Sequence, residues 1–211
     1  MQDGTAGRAA NETDRVLTLP NIITVIRLSC LPLFLWLLFG RDNQVGAALV
    51  LAALGTTDWV DGYLARRLGQ VSEVGKILDP VADRLLFFVG IGGILIDGSV
   101  PVWFAVIVLV REVLVAAATL ALAALGAKRI DVTWAGKKGT FGLMVAFPSF
   151  LAGSADWSAA GFFTGLAWVA GIPGLILSLY SAAAYVPIAR RAFAEGRAAR
   201  AAAKAGGAHA A

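Results

Sequence analysis

Four aspartates fall within the stretch DWVDGYLARRLGQVSEVGKILDPVAD, residues 58–83. Asp58 and Asp61 are three residues apart and Asp79 and Asp83 four, so on helices each pair shares a face, one turn apart. Gly62 and Ala65 fall on nearly the same stripe as the first pair, and Gly75 lies one turn before Asp79. Ionised carboxylates that converge where water is scarce repel one another, and desolvation raises the cost further. Protonation of several is one escape and bound cations are the other. Carboxylate oxygens suit hard divalent ions, Mg²⁺ or Mn²⁺, and four of them suffice for two ions at the roughly 3.5–4 Å spacing of two-metal sites. Two such ions on a floor of glycine and alanine suit a diphosphate, because the missing side chains let a flat group approach the backbone. Arg66, two turns from Asp58, can reach a phosphate oxygen from the same helix. A lone intramembrane Asp–Arg pair is often structural glue; four acids, two glycines and an arginine in this order are poorly explained that way.

The elements around these acids are apolar. Of 211 residues 58% are hydrophobic and 15% charged, with mean hydropathy +0.75, against roughly 45–50% and about 25% in soluble domains. The length fits one domain, and the composition fits an integral membrane protein. A spanning helix needs about 20 mostly apolar residues, and six candidates follow: Pro20 to Phe39; a second from near Val45 through the first acidic pair; Asp79 to Ile96; Pro101 to about Leu125, with Arg111 and Glu112 inside; Thr140 to Gly153; and about Ala159 to Ile188. Pro148, Pro173 and Pro187 predict local kinks. The expected fold is thus all-α, six transmembrane helices with a short N-terminal interfacial segment. Residues 1–19 form a polar cytoplasmic arm without the apolar core of a secretory leader, residues 20–189 the helical domain, and residues 190–211 a basic, Ala-rich tail, solvated or resting on lipid.

Charge between the helices sets the orientation. Arg66, Arg67 and Lys76 lie in one connection, Lys128, Arg129, Lys137 and Lys138 in another, and Arg190, Arg191, Arg197, Arg200 and Lys204 in the tail. The opposite connections hold Arg41 with Asp42, then Asp97, then Asp156. The positive-inside rule therefore puts both termini, the basic loops and the acids in the cytoplasm. The net charge of +4 sits in short basic segments between apolar runs, which suits anionic headgroups rather than nucleic acid. Cys30 is the sole cysteine, which excludes an internal disulfide. His209, the sole histidine, lies in the terminal KAGGAHAA, so proton transfer falls to a carboxylate, lysine or tyrosine.

The string D-x2-D-G-x2-A-R-x8-G-x3-D-x3-D, from Asp58 to Asp83, resembles the full signature of the CDP-alcohol phosphatidyltransferases. LPNIITVIRL in the first helix, REV in the fourth and the six-helix layout extend the likeness. The resemblance implies that Asp58, Asp61 and Asp79 bind metals and that Asp83 is both ligand and general base. It implies a cytidine pocket at Gly62, Ala65 and Gly75, a diphosphate contact from Arg66, and homodimers whose site opens to cytoplasm and bilayer. The implied reaction takes CDP-diacylglycerol and an acceptor hydroxyl and releases CMP, at a bacterial plasma membrane. Asn21, Thr24 and Arg27 match the family's first-helix pattern and are candidates for supporting the diphosphate, with capping and topology as equal explanations.

The resemblance also implies an acceptor that carries a phosphate: glycerol 3-phosphate, as in phosphatidylglycerophosphate synthases, or phosphatidylglycerol, as in the actinobacterial cardiolipin synthases that GKKGTFGLMVAFPSFL resembles. Lys137, Lys138 and Thr140, the last expected at a helix start where backbone N–H groups favour anions, are candidates for its phosphate. Topology alone also accounts for the two lysines. Arg111 is a further candidate, or a neutralising partner between helices. Two other classes compete. A divalent-cation transporter would place its acids near the midplane rather than at one face, and an Asp-rich prenyl-diphosphate enzyme would lack the G-x2-A-R element.

Overall fold

The computed structural model describes residues 19–68, 73–124 and 134–208, with side chains over 23–57, 82–121 and 134–184 and at 186, 187 and 190. Among these residues every regular element is helical: α1 (Leu19–Leu35), a π-helical turn (Trp36–Gly40), α2 (Gln44–Leu68), α3 (Glu73–Asp97), α4 (Val102–Ala124), α5 (Trp134–Ser154) and α6 (Ala160–Ala208). Among the described residues three stretches are long and apolar enough to cross a membrane, Ile23–Gly40, Val102–Ala121 and Ala160–Ala184, and Gln44–Thr57 is a shorter apolar segment. Helices α2 and α3 are each apolar at one end and charged at the other: Asp58, Asp61, Arg66 and Arg67 close α2, and Glu73, Lys76, Asp79 and Asp83 open α3.

The chain forms two compact units, Met1–Val102 with Met144–Trp168, and Trp103–Leu143 with Val169–Ala211. In the first unit α1 packs against both α2 and α3. Leu31, Leu54 and Leu86, one from each helix, form a buried cluster flanked by Leu28, Cys30, Val50 and Val89. Phe34 and Leu38 are fully buried, and a Cβ at Gly93 would come within 3.1 Å of Phe34 and 3.5 Å of Leu38. Contacts that advance together along both helices make α1 and α3 parallel. Helix α2 runs the other way: Leu51 lies 3.1 Å from a Cβ built on Gly90, whereas Leu54, one turn on, shares the cluster with Leu86.

Local chemistry explains the turns. The Arg41 N–H donates to Trp36 O at 3.0 Å, closing the π turn that ends α1. Asp42 adopts the left-handed region at φ 50, and Asn43 Oδ1 accepts from the Gly46 N–H at 2.8 Å, an N-cap for α2. Helix α3 ends in a Schellman motif, with Gly98 N–H on Leu95 O, Ser99 N–H on Ile94 O, and Gly98 at φ +82 where a side chain would be strained. Between α5 and α6, Trp157 Nε1 donates to Ala152 O at 2.7 Å, and Phe150 meets Trp168 edge to face.

Several helix limits differ from those read off the sequence. Helix α3 starts at Glu73 rather than Asp79, α5 at Trp134 rather than Thr140, and α6 continues to Ala208 rather than ending near Ile188. Hydropathy locates the apolar stretch, whereas the helix continues through EVGKIL and the Ala-rich tail, whose residues are mostly good helix formers. Pro148, Pro173 and Pro187 lie inside continuous helices, as does Pro32.

Candidate active site

Asp58 and Asp61 lie near the end of α2, followed by Gly62, Ala65 and Arg66. Gly75, Asp79 and Asp83 lie in the first half of α3. The side chains of Asp58, Asp61, Asp79, Arg66 and Ala65 are outside the described residues, as is the 69–72 connection. Among the described residues no group of three or more His, Cys, Asp or Glu is close enough to hold a metal.

Asp83 is described in full. Its Oδ1 accepts from Arg27 Nη2 at 3.0 Å, an ion pair that joins α1 to α3. The arginine side chain is 8% exposed and the aspartate 47%. Thr24, one turn before Arg27, is also buried. A guanidinium in the interior of an apolar helix bundle requires a charged partner, since an unpaired buried charge is far costlier than a paired one. The structure therefore gives Arg27 a partner that sequence reasoning missed, having offered it to a diphosphate. The signal was available: a single arginine eight residues into an apolar helix must meet an opposite charge on a neighbour.

The acceptor candidates lie in the second unit. Thr140 is not at a helix start. Helix α5 begins at Trp134, so the Thr140 N–H falls among the helix's own hydrogen bonds and the anion argument for it lapses. Lys137 and Lys138 belong to the first turns and are exposed, with Thr140 exposed beyond them. Lys138 Nζ lies 3.7 Å from the centre of the Trp134 ring, a cation–π contact one turn apart. The opposite side of α5 is bare: a Cβ on Gly139 would come within 2.6 Å of Ser178 N, and one on Gly142 within 2.9 Å of Gly174 Cα. Helices α5 and α6 thus touch backbone to backbone, which fixes where the lysines point. Arg111 does not bridge to a neighbouring helix through its ion pair; its Nη1 donates to the adjacent Glu112 Oε2 at 2.7 Å. Its Nε is buried without a hydrogen-bond partner, and it lines a pocket of ≈ 270 Å³ with Val106, Ile107, Val110, Leu114, Leu179 and Ala182.

The family model described as CDP-alcohol phosphatidyltransferase matches residues 17–180. The chain is 40% identical over 177 residues to the cardiolipin synthase (CMP-forming) of Streptomyces coelicolor, covering 76% of this chain and 82% of that protein. It is 38% identical over 144 residues to the CDP-diacylglycerol–glycerol-3-phosphate 3-phosphatidyltransferase of Pseudomonas fluorescens, covering 64% and 73%. The protein of the same name from Bacillus subtilis is 32% identical over 171 residues, covering 74% and 88%.

Proposed function

This chain belongs to the CDP-alcohol phosphatidyltransferase family, and from that premise we propose that it transfers the phosphatidyl group of CDP-diacylglycerol to the hydroxyl of a phosphate-bearing acceptor, releasing CMP. The observation that carries this reading is the family match over 17–180, which spans both acidic helices. Asp83 takes the proton of the acceptor hydroxyl. The resulting oxygen bonds to the phosphorus that bears diacylglycerol, the bond from that phosphorus to the bridging oxygen breaks, and CMP leaves with the electron pair. Arg66 holds the diphosphate and offsets the charge that develops on it. Gly62, Ala65 and Gly75 leave room for the cytidine against the backbone.

The residues present fit two divalent cations, Mg²⁺ or Mn²⁺. The donors are oxygens only, two of the aspartates lie near the end of α2 and two in the first half of α3, and Asp83 stays accessible beside its arginine. Asp58, Asp61, Asp79 and Asp83 would hold them, and bound cations neutralise a diphosphate and stabilise a leaving phosphate.

Phosphatidylglycerol is the acceptor this reading favours, giving cardiolipin. The Streptomyces relative is named for that product, and the apolar pocket beside Arg111 has the chemistry of an acyl chain next to an anionic headgroup. Glycerol 3-phosphate is the second reading, favoured by the names of the Pseudomonas and Bacillus relatives. Lys137, Lys138 and Arg111 are the residues proposed to meet the acceptor phosphate. The same reading has six helices crossing the bacterial plasma membrane, both termini and the acids at the cytoplasmic face, and two copies forming a homodimer. Residues 20–189 are its catalytic domain, between an N-terminal arm and the basic tail.

Purified protein with CDP-diacylglycerol, Mn²⁺ and phosphatidylglycerol is expected to release CMP and form cardiolipin. CMP with glycerol 3-phosphate alone would move the acceptor to the second reading. Divalent-cation flux in liposomes without CMP from any acceptor would replace the enzyme with a transporter.

A further inference from the structure

We infer that Arg27 is a positioning residue for the proton acceptor: its buried guanidinium, reaching across from α1, holds the Asp83 carboxylate in the orientation from which it takes the acceptor's proton. The inference rests on the phosphatidyl transfer proposed above.

Three features of the pair point this way. The first is its asymmetry. Arg27 is enclosed at 8% exposure while Asp83 is 47% exposed, so the donor is fixed by packing and the carboxylate remains open to an incoming group. An ion pair serving packing alone does not need one partner half open. The second is the rigidity behind the arginine. One turn past Arg27, Leu31 joins the buried cluster with Leu86 of α3, and Phe34 and Leu38 close over Gly93 on the same helix. Parallel helices locked over that length keep the Arg27 backbone at a set height relative to Asp83. The third is the bond itself. A charge-assisted contact of 3.0 Å to Oδ1 is stronger than a neutral one, and the planar guanidinium restricts direction as well as distance. An aspartate side chain otherwise turns about two torsions, and holding one oxygen sets where the other points.

The pair also argues against Arg27 acting as a diphosphate ligand. Its charge is directed at a carboxylate of its own chain across the α1–α3 interface, which leaves the diphosphate to Arg66 and the metal ligands. The two roles predict different kinetics. A diphosphate ligand contributes to binding of CDP-diacylglycerol, whereas a residue that orients the proton acceptor contributes to turnover and leaves that binding intact.

The test uses full-length protein in nanodiscs, wild type beside Arg27→Lys and Arg27→Gln. Four quantities are measured: kcat for CMP release, KM for the acceptor, Kd for CDP-diacylglycerol without acceptor, and the unfolding temperature. Misplacing a reacting group by about 1 Å costs on the order of 100-fold in rate. We expect kcat to fall roughly 100-fold in R27Q and about 10-fold in R27K, which keeps the charge and loses the fork. The Kd for CDP-diacylglycerol should stay within about 3-fold of wild type in both variants, on the same reasoning. R27K should melt close to wild type, so it decides the matter if R27Q does not fold. A wild-type kcat in R27K overturns the inference. So does a Kd that weakens as far as kcat falls, which would return Arg27 to the diphosphate. If the wild-type protein releases no CMP, the transfer reading itself fails and takes the inference with it; an active wild type with an unaffected R27K sinks the inference alone.

Discussion

At the scale of single residues the proposed chemistry narrows to Asp83. Asp83→Asn is expected to lower kcat by roughly 10²–10⁴-fold, the span typical of a positioned general base. Asparagine keeps an oxygen that can accept from Arg27 but removes the charge that offsets the buried guanidinium, so the protein should stay folded with a lowered unfolding temperature; CMP release and thermal unfolding measured on one preparation check both parts. Removing divalent cations with EDTA should abolish CMP release, and Mn²⁺ or Mg²⁺ added back should restore it. A chelated enzyme that still turns over would dissociate the four carboxylates from metal binding. The helical placement of the acids was legible in the sequence because their spacing is a local property: three and four residues map onto one helical turn wherever a helix forms. The partner of Arg27 was not legible in the same way. Its ion pair closes over 56 residues of chain, and which of the acids faces it depends on the height at which α1 packs on α3.

At the scale of helices, the contact between α5 and α6 explains why glycines crowd that part of the chain. With a Cβ on Gly139 only 2.6 Å from the Ser178 backbone nitrogen, Gly139→Ala must push two backbones apart, at a cost of about 1–3 kcal/mol by the usual scale of overpacking. Gly92→Ala is the matched control. Nothing lies within 4 Å of its added methyl, and alanine should stabilise α3 by about 0.5–1 kcal/mol through backbone entropy. Unfolding temperatures of the two variants in one detergent should therefore move in opposite directions. Hydropathy located the described helices but misjudged several ends, because a bilayer-sized apolar window says nothing about polar residues that carry a helix onward. Thr140 was the casualty. Counted as a helix start because the apolar run begins there, it lies well inside a helix that opens at Trp134.

At the scale of the whole molecule, the acceptor is the open choice, and the lysines of α5 supply a handle on it. Lys137→Ala should raise the acceptor KM about 10-fold with the KM for CDP-diacylglycerol unchanged, as expected for losing one charge-assisted hydrogen bond. Lys138→Ala should have the smaller effect, since its ammonium already rests on the Trp134 ring; equal effects on both substrates would make the pair a topology signal. Positive charge that recurs on alternate connections of a single chain is the basis of the proposed orientation, whereas pairing of copies leaves no comparable mark in one sequence. The arginine on the first helix has a practical consequence for anyone building hybrids of such proteins. A leading transmembrane segment is commonly treated as an exchangeable anchor, to be trimmed, tagged or replaced by a foreign signal-anchor of equal length. With Arg27 orienting Asp83 as inferred above, a graft matched only for length and greasiness should yield a protein that inserts and expresses yet turns over poorly, and restoring one guanidinium at the right turn should recover much of the loss.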